Sequence, residues 1–173
     1  MIPLESVLRP ATDNDEKPLI SFLENVYRQT YFPLFGGAAR SAFPDGTWLR
    51  DWPRVLHREP GTTAVLAEVS GQIVGFAQTV IARNGEMGTV PSIRLRELQF
   101  LYIDASQYGS GLARRLLGMV LDDDEPAELW VVEGNLRAIA FYRKNGFAQD
   151  GARFALGNAE AVAEGVFEVR MVR

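Results

Sequence analysis

The chain has no cysteine, a single histidine and no surplus of positive charge, and each shortage removes a class of function. Without cysteine there are no disulfides, thiol nucleophiles or thiolate metal sites. With His57 as the sole imidazole, a multi-histidine metal centre is excluded too. No stretch approaches the roughly 20 apolar residues of a membrane span. The opening Met1-Ile2-Pro3-Leu4-Glu5 has no basic patch followed by an apolar run. A cytoplasmic protein with no membrane partner is therefore expected. A formal net charge of −4 over 173 residues argues against a nucleic-acid partner, because affinity for phosphate backbones comes from clustered Lys and Arg. The same balance does not repel an amine. Internal repeats, low-complexity tracts and Pro/Gly/Ser linkers are also missing, so residues 1–173 are expected to fold as one domain.

What is present reads as alternating strands and helices. Asp15 to Arg28 carries Leu19, Ile20, Phe22, Leu23 and Val26 at helical spacing, with Asp13 or Asn14 as a cap. Tyr31 to Pro60 is aromatic and broken by Pro and Gly; it reads as loops plus a helix from Trp48 to Arg58. Thr63–Val69 and Gln72–Arg83 are strand-like runs joined by Ser70-Gly71, a hairpin signal. Leu95–Ile103 continues the sheet. Gly111–Leu121 shows an apolar helical stripe, ended by Asp122-Asp123-Asp124-Glu125-Pro126, an acidic run that reads as a solvated loop rather than a metal site. Glu128–Val132 is a short apolar strand, Asn135–Asn145 a helix, and Phe147–Leu156 and Val162–Val172 two closing strands joined around Gly157-Asn158. The crossover helix between residues 103 and 128 requires a parallel or mixed pair there. The fold class is α/β, with helices on both faces of the sheet.

Two segments carry the chemistry. From Leu101 to Ala113 a strand runs through Gly109-Ser110-Gly111 into a helix that continues with Leu112, Ala113 and Arg114. Such a turn aims unpaired backbone N–H groups at whatever lies above it, and a phosphate is the natural guest. A dinucleotide-binding G-x-G-x-x-G turn is disfavoured, because Arg114 occupies the third glycine position. From Asn135 to Phe147 a helix opens on Asn135 and closes on Gly146, with Tyr142 seven residues after the asparagine. At about 100° per residue the two lie nearly on one line, roughly 10 Å apart along the axis.

Together these segments resemble the GNAT superfamily of acyl-CoA-dependent N-acyltransferases. The family pattern is an LYV-like triplet, here Leu101-Tyr102-Ile103, then Q/R-x-x-G-x-G/A, here Tyr108 to Ala113. A later N-x(6)-Y helix ends in an F-Y-x-K-x-G-F-like string, here Phe141 to Phe147. The resemblance covers about residues 63–173, and Leu8 to Thr12 looks like the family's first strand. Tyr108 departs from the pattern, standing where Gln or Arg is usual. The resemblance implies a GNAT-like, mostly antiparallel sheet of about seven strands with a central parallel pair splayed at the cofactor cleft. It also implies acetyl-CoA as co-substrate, an amine acceptor from a small molecule or peptide, and a homodimer paired through the closing strands.

The resemblance assigns roles residue by residue. The acyl-CoA contacts fall on Leu101, Tyr102, Ile103, Gly109, Ser110, Gly111, Leu112, Ala113, Arg114, Asn135 and Tyr142. Tyr142 is the expected general acid that protonates the departing thiolate, and Glu97 the strand-borne base. A bulge near Leu101 to Ile103 would free an N–H to polarise the thioester carbonyl. The plainer readings stand beside these. Asn135 is a good helix N-cap in its own right, and Tyr142 suits a half-buried core position. Glu97 suits an exposed ion pair with Arg94 or Arg96; Arg114, Arg115, Arg143 and Lys144 suit a solvated face. Glu68, Asp104 and Glu133 are further carboxylates near strand ends, and His57 reads as surface. The aromatic segment from Tyr31 to Trp52, with Phe35 and Trp48 as its test positions, and the closing hairpin near Phe154 to Val166 are expected to flank the acceptor. Direct acyl transfer in a ternary complex is the expected reaction, since no activated nucleophile is visible. The competing class is a module that binds acyl-CoA without turning it over.

Overall fold

The computed structural model describes residues 6–35, 59–82, 90–155 and 165–173. Seven strands form one sheet: β1 (Val7–Pro10), β2 (Thr63–Val69), β3 (Gln72–Ile81), β4 (Arg96–Ile103), β5 (Ala127–Val132), β6 (Ala148–Ala155) and β7 (Phe167–Val172), in spatial order β1-β2-β3-β4-β5-β7-β6. Every neighbouring pair is antiparallel except β4 and β5. The helices are α1 (Glu16–Phe35), α2 (Leu112–Val120) and α3 (Leu136–Lys144). The expected helix from Trp48 to Arg58, His57 and the Gly157-Asn158 turn lie outside the described residues.

Each face of the sheet has its own apolar layer. On α1, Leu19, Phe22, Leu23 and Val26 recur at helical spacing and pack with Leu66, Phe76 and Phe100. On the other face, Leu112, Leu116, Leu117 and Val120 of α2 and Ile139 and Tyr142 of α3 pack with Leu98, Leu129, Val131, Val169 and Met171. Strand residues alternate between the two layers, as a period of two demands.

The first helix differs from the sequence expectation. It runs to Phe35 rather than stopping at Arg28, so Tyr31, Phe32 and Pro33 are helical rather than looped. Pro33 removes the N–H that would otherwise bond to the Gln29 carbonyl in the last turn. Tyr27 and Tyr31 meanwhile extend the buried stripe, their ring centroids 4.9 Å apart, and this packing outweighs the local break. Two smaller shifts occur at strand ends: β3 ends at Ile81, and β7 begins at Phe167.

The entry to α1 is fixed by an ion-pair network. Arg9 Nη1 and Nη2 donate to Asp15 Oδ2 and Oδ1 at 2.8 and 2.7 Å, and Nη2 also donates to Glu68. Thr12 adds its backbone N–H and hydroxyl to Asp15 Oδ2, at 2.7 and 2.8 Å. The guanidinium beside it, helped by Thr12, holds the Asp15 carboxyl well below the usual carboxylate range. A depressed folded-state value contributes stability at every pH above the unfolded carboxyl value near 4, and that stability is lost as pH falls from there through the folded value. Asp15→Asn is therefore expected to cost about 2 kcal/mol at pH 7. In thermal melts from pH 7 to pH 2, the gap between variant and parent should narrow below about pH 4.

Candidate active site

The glycine turn follows β4 and opens α2. Gly109 and Gly111 sit at φ +78° and +84°, a left-handed conformation that side chains resist, and a Cβ added at either would meet nothing within 4 Å. Ser110 staples the turn from inside: its hydroxyl donates to Gln107 O at 2.7 Å and accepts from Leu112 N–H at 3.2 Å. Arg115 N–H closes the first helical bond, to Gly111 O. The N–H groups of Gly109, Gly111, Ala113 and Arg114 have no acceptor among the described residues. These four unbonded donors lie at and just before the positive end of α2, a setting suited to an anion.

Below the turn the sheet parts. The β4–β5 pairing consists of Arg96↔Ala127 and Glu97↔Glu128, and beyond these the strands diverge. Against β3, the β4 register slips: Gln78 faces Phe100 while Thr79 faces Leu98, which leaves Gln99 as the extra residue of a bulge. The bulge therefore lies before Leu101 rather than within Leu101 to Ile103 as expected. Gln78 Nε2 donates to Gln99 Oε1 at 3.0 Å across it. Asp104 N–H donates to Val74 O, so by alternation Tyr102 bonds to β3, while the N–H and C=O of Leu101 and Ile103 face the wedge. Both are main-chain edges where a strand partner is missing.

The α3 side supplies the wedge with a phenol. Asn135 acts as the N-cap, its Oδ1 accepting from Ala138 N–H at 3.2 Å, and Asn145 with Gly146 closes the helix. Tyr142 is 8% exposed, and its hydroxyl makes no hydrogen bond among the described residues. Its ring packs edge-on against Phe141 and Phe147. Burial pushes the phenol above its ordinary value, so it stays protonated throughout the neutral range. Tyr31 and Tyr102, on the α1 side, lie within electrostatic reach of it.

On the α1 side, three phenols meet. Tyr102 donates to Tyr27 Oη at 2.9 Å, the Tyr31 hydroxyl lies 3.3 Å from that of Tyr102, and the Tyr27 and Tyr102 ring centroids are 5.1 Å apart. The Tyr102 side chain thus belongs to this cluster. Glu168 of β7, which sequence reasoning does not single out, is within electrostatic reach of Tyr27 and Tyr31, and Glu97 of β4 is within reach of Glu168. Glu168 Oε2 is buried with no hydrogen-bond partner among the described residues. Burial, and then the Glu97 charge, push its carboxyl up to about 7. In the sequence Glu168 stands out only as an acid in a short strand that is apolar apart from Arg170.

Other candidates have structural partners. Glu68 binds Arg9, Glu133 binds Arg153 at 2.7 Å, and Asp104 caps the turn by accepting from Ser106 N–H at 2.9 Å. Arg114 reaches Asp123 at 2.7 Å, directing its guanidinium away from the glycine turn, and Arg115 donates to the hydroxyl and carbonyl of Ser6. Both arginines line a groove of about 780 Å³ beside β1 that is separate from the wedge. Arg94 donates to Arg173 O and Ile93 O; Arg96 donates to Gly61 O and Thr79 Oγ1 and lies 3.3 Å from Glu125. A cation near the turn comes instead from Arg137. It donates to the Tyr108 hydroxyl at 2.7 Å with its guanidinium 3.7 Å from the ring centroid, so the residue that replaces Gln or Arg carries a borrowed charge.

Strand order, wedge and glycine turn together define the fold of the acyl-CoA-dependent acetyltransferases. The family model for the acetyltransferase (GNAT) family matches residues 21–147, and this chain belongs to that family. Acetyl-CoA is the family's acyl donor and its acceptors are amines. Solved structures agree in fold. An acetyltransferase from Thermus thermophilus is 24% identical with a TM-score of 0.64, covering 100% of this chain and 99% of that one. The PaiA N-acetyltransferase from Thermoplasma acidophilum, in complex with coenzyme A, is 17% identical with a TM-score of 0.61, covering 96% and 98%. A ribosomal-protein-alanine N-acetyltransferase from Brucella melitensis is 21% identical with a TM-score of 0.63, again covering 96% and 98%. Comparison with curated proteins finds no match.

Proposed function

We propose that this protein is an N-acetyltransferase that moves the acetyl group of acetyl-CoA to the primary amine of a small molecule or peptide, by direct attack in a ternary complex. The observation that carries the reading is the protonated Tyr142 phenol, its ring packed in the core on the α3 side and its hydroxyl without a hydrogen bond among the described residues, together with the unbonded N–H groups of the glycine turn. The donor set fits the cofactor: a diphosphate needs N–H donors and open space, and both occur at Gly109 and Gly111.

Acetyl-CoA supplies an activated acyl group as a thioester. The chain's own groups do the rest. Gly109, Gly111, Ala113 and Arg114 offer backbone donors to the diphosphate, with Ser110 and Leu112 shaping the turn. Leu101 and Ile103 offer strand edges to an amide-bearing arm, and Asn135 has its Nδ2 to add. Tyr142 gives its proton to the leaving sulfur. A carboxylate on the α1 side takes the proton of the attacking nitrogen, and family position points to Glu97. No acyl-enzyme is required, because none of these residues is an activated nucleophile.

The test is thiol release from acetyl-CoA with a panel of primary amines. Amine-dependent release is expected, with the acetylated amine as co-product. Thermal stabilisation by coenzyme A with no release for any amine would instead make the chain a binding module.

A further inference from the structure

Arg137 is a cation in a costly place. It stands in the first turn of α3, at the positive end of the helix dipole, where an acidic side chain is stabilising and a basic one is not. Its guanidinium reaches no carboxylate among the described residues. Instead it crosses from α3 to the residue before Gly109, lying 3.7 Å from the Tyr108 ring centroid and donating from Nη2 to the Tyr108 hydroxyl at 2.7 Å. Its Nε and Nη1 make no hydrogen bond among the described residues. Holding a long exposed side chain in one geometry costs rotamer entropy, which a neutral hydroxyl and a ring offset only in part. The charges around it follow the same bias. Ala105 to Arg115 and Gly134 to Asn145, the stretches that open α2 and form α3, contain none of the chain's 22 acidic residues and five of its 18 Lys and Arg. In a chain of net charge −4, both stretches are wholly positive. Of the five cations, Arg114 pairs with Asp123, Arg115 binds Ser6, and Arg143 and Lys144 lie in the last turn of α3. Arg137 is the one that ties the two stretches together, next to a turn whose Gly109 and Gly111 N–H groups are unbonded among the described residues. Positive charge gathered in this way calls for an anion.

We propose that Arg137, positioned by Tyr108, binds the diphosphate of acetyl-CoA from the α3 side, a side-chain donor added to the main-chain donors of the glycine turn. The inference rests on the acetyltransferase reading above and adds to it a cofactor-binding residue and the residue that positions it. With one hydrogen of Nη2 on the phenol, the other donors of the guanidinium fork remain for phosphate oxygens. Arginine suits this task better than lysine, because its planar fork both lies over a ring and meets two oxygens at once. Tyr108 contributes by holding the fork beside the turn before the cofactor arrives, so less rotamer freedom is lost on binding. The contact is exposed, and salt therefore screens it.

The experiment titrates the full chain calorimetrically with coenzyme A and, separately, with 3′-dephospho-coenzyme A. Arg137→Gln removes the charge at an exposed helical position where glutamine is an equally good helix former, so the fold should stand. It should weaken the Kd for both ligands about 10-fold, the worth of one charge-assisted contact. Raising salt from about 0.05 to about 0.5 M should weaken binding more steeply in the parent than in this variant. Tyr108→Phe keeps the ring and removes the hydroxyl. A loss of about 3-fold is expected in the parent and none in the Arg137→Gln background, because the phenol acts only through the guanidinium. Equal affinity of parent and Arg137→Gln for both ligands would overturn the proposal, and amine-dependent thiol release by the parent would show that the acetyltransferase reading survives it. A loss confined to coenzyme A would put the guanidinium on the 3′-phosphate and overturn the proposal as well. A Tyr108→Phe effect of the same size in both backgrounds would overturn the positioning part. A parent that binds neither ligand would sink the inference together with the reading beneath it.

Discussion

Tyr142→Phe is expected to lower kcat for thiol release by about 10²- to 10³-fold, the usual worth of a positioned general acid. The substitution removes one oxygen and keeps the ring that packs against Phe141 and Phe147. Because the hydroxyl makes no hydrogen bond among the described residues, the fold should lose little, within about 1 kcal/mol. Affinity for coenzyme A should also hold, since a general acid acts on sulfur only as the C–S bond breaks. Single-turnover thiol release and isothermal titration with coenzyme A separate these effects. A variant running at the parent's rate would mean that the thiolate leaves without this proton, and Tyr142 would then be a core aromatic and nothing more.

Gly111→Val should act on binding rather than on chemistry. Valine is β-branched and strongly disfavours the +84° φ that this position adopts, so either the turn rearranges or the strain, of order 1–2 kcal/mol, is retained. Rearrangement turns the N–H groups of Gly111 and its neighbours away from their common focus. Losing two charge-assisted hydrogen bonds to a diphosphate is worth about 3 kcal/mol, or roughly a 100-fold weaker Kd for coenzyme A. Titration with 3′-dephospho-coenzyme A should show the same loss, because both molecules share the diphosphate. Unchanged affinity for either would place the diphosphate elsewhere.

Much of this arrangement is legible in the residue order. Gly109-Ser110-Gly111 between a strand and a helical stripe, and Asn135 seven places before Tyr142, specify their local structures through torsion and capping preferences that need no tertiary help. The parallel pair follows from the crossover helix alone. The α1 boundary is not legible, because Pro33 is a local stop signal and only the contact of Tyr31 with Tyr102 overrides it. The bulge at Gln99 is illegible for a different reason. Alternation counted back from Ile103 puts Glu97 with Leu101 on the α2 face. One surplus residue reverses that phase, so Leu98 packs under α2 while Phe100 packs under α1. Glu168 escapes a sequence reading because a period of two marks a face of β7 without saying what covers it.

The two rungs that join β4 to β5 have a consequence for the durability of the whole protein. A chain selected for sturdiness alone would zip Gln99 to Ile103 onto the neighbouring strand, gaining main-chain bonds and closing a seam that runs halfway through the sheet. On the reading proposed above, a donor lying in that gap would supply main-chain partners to the open edges, so its binding should raise the melting temperature of the whole protein.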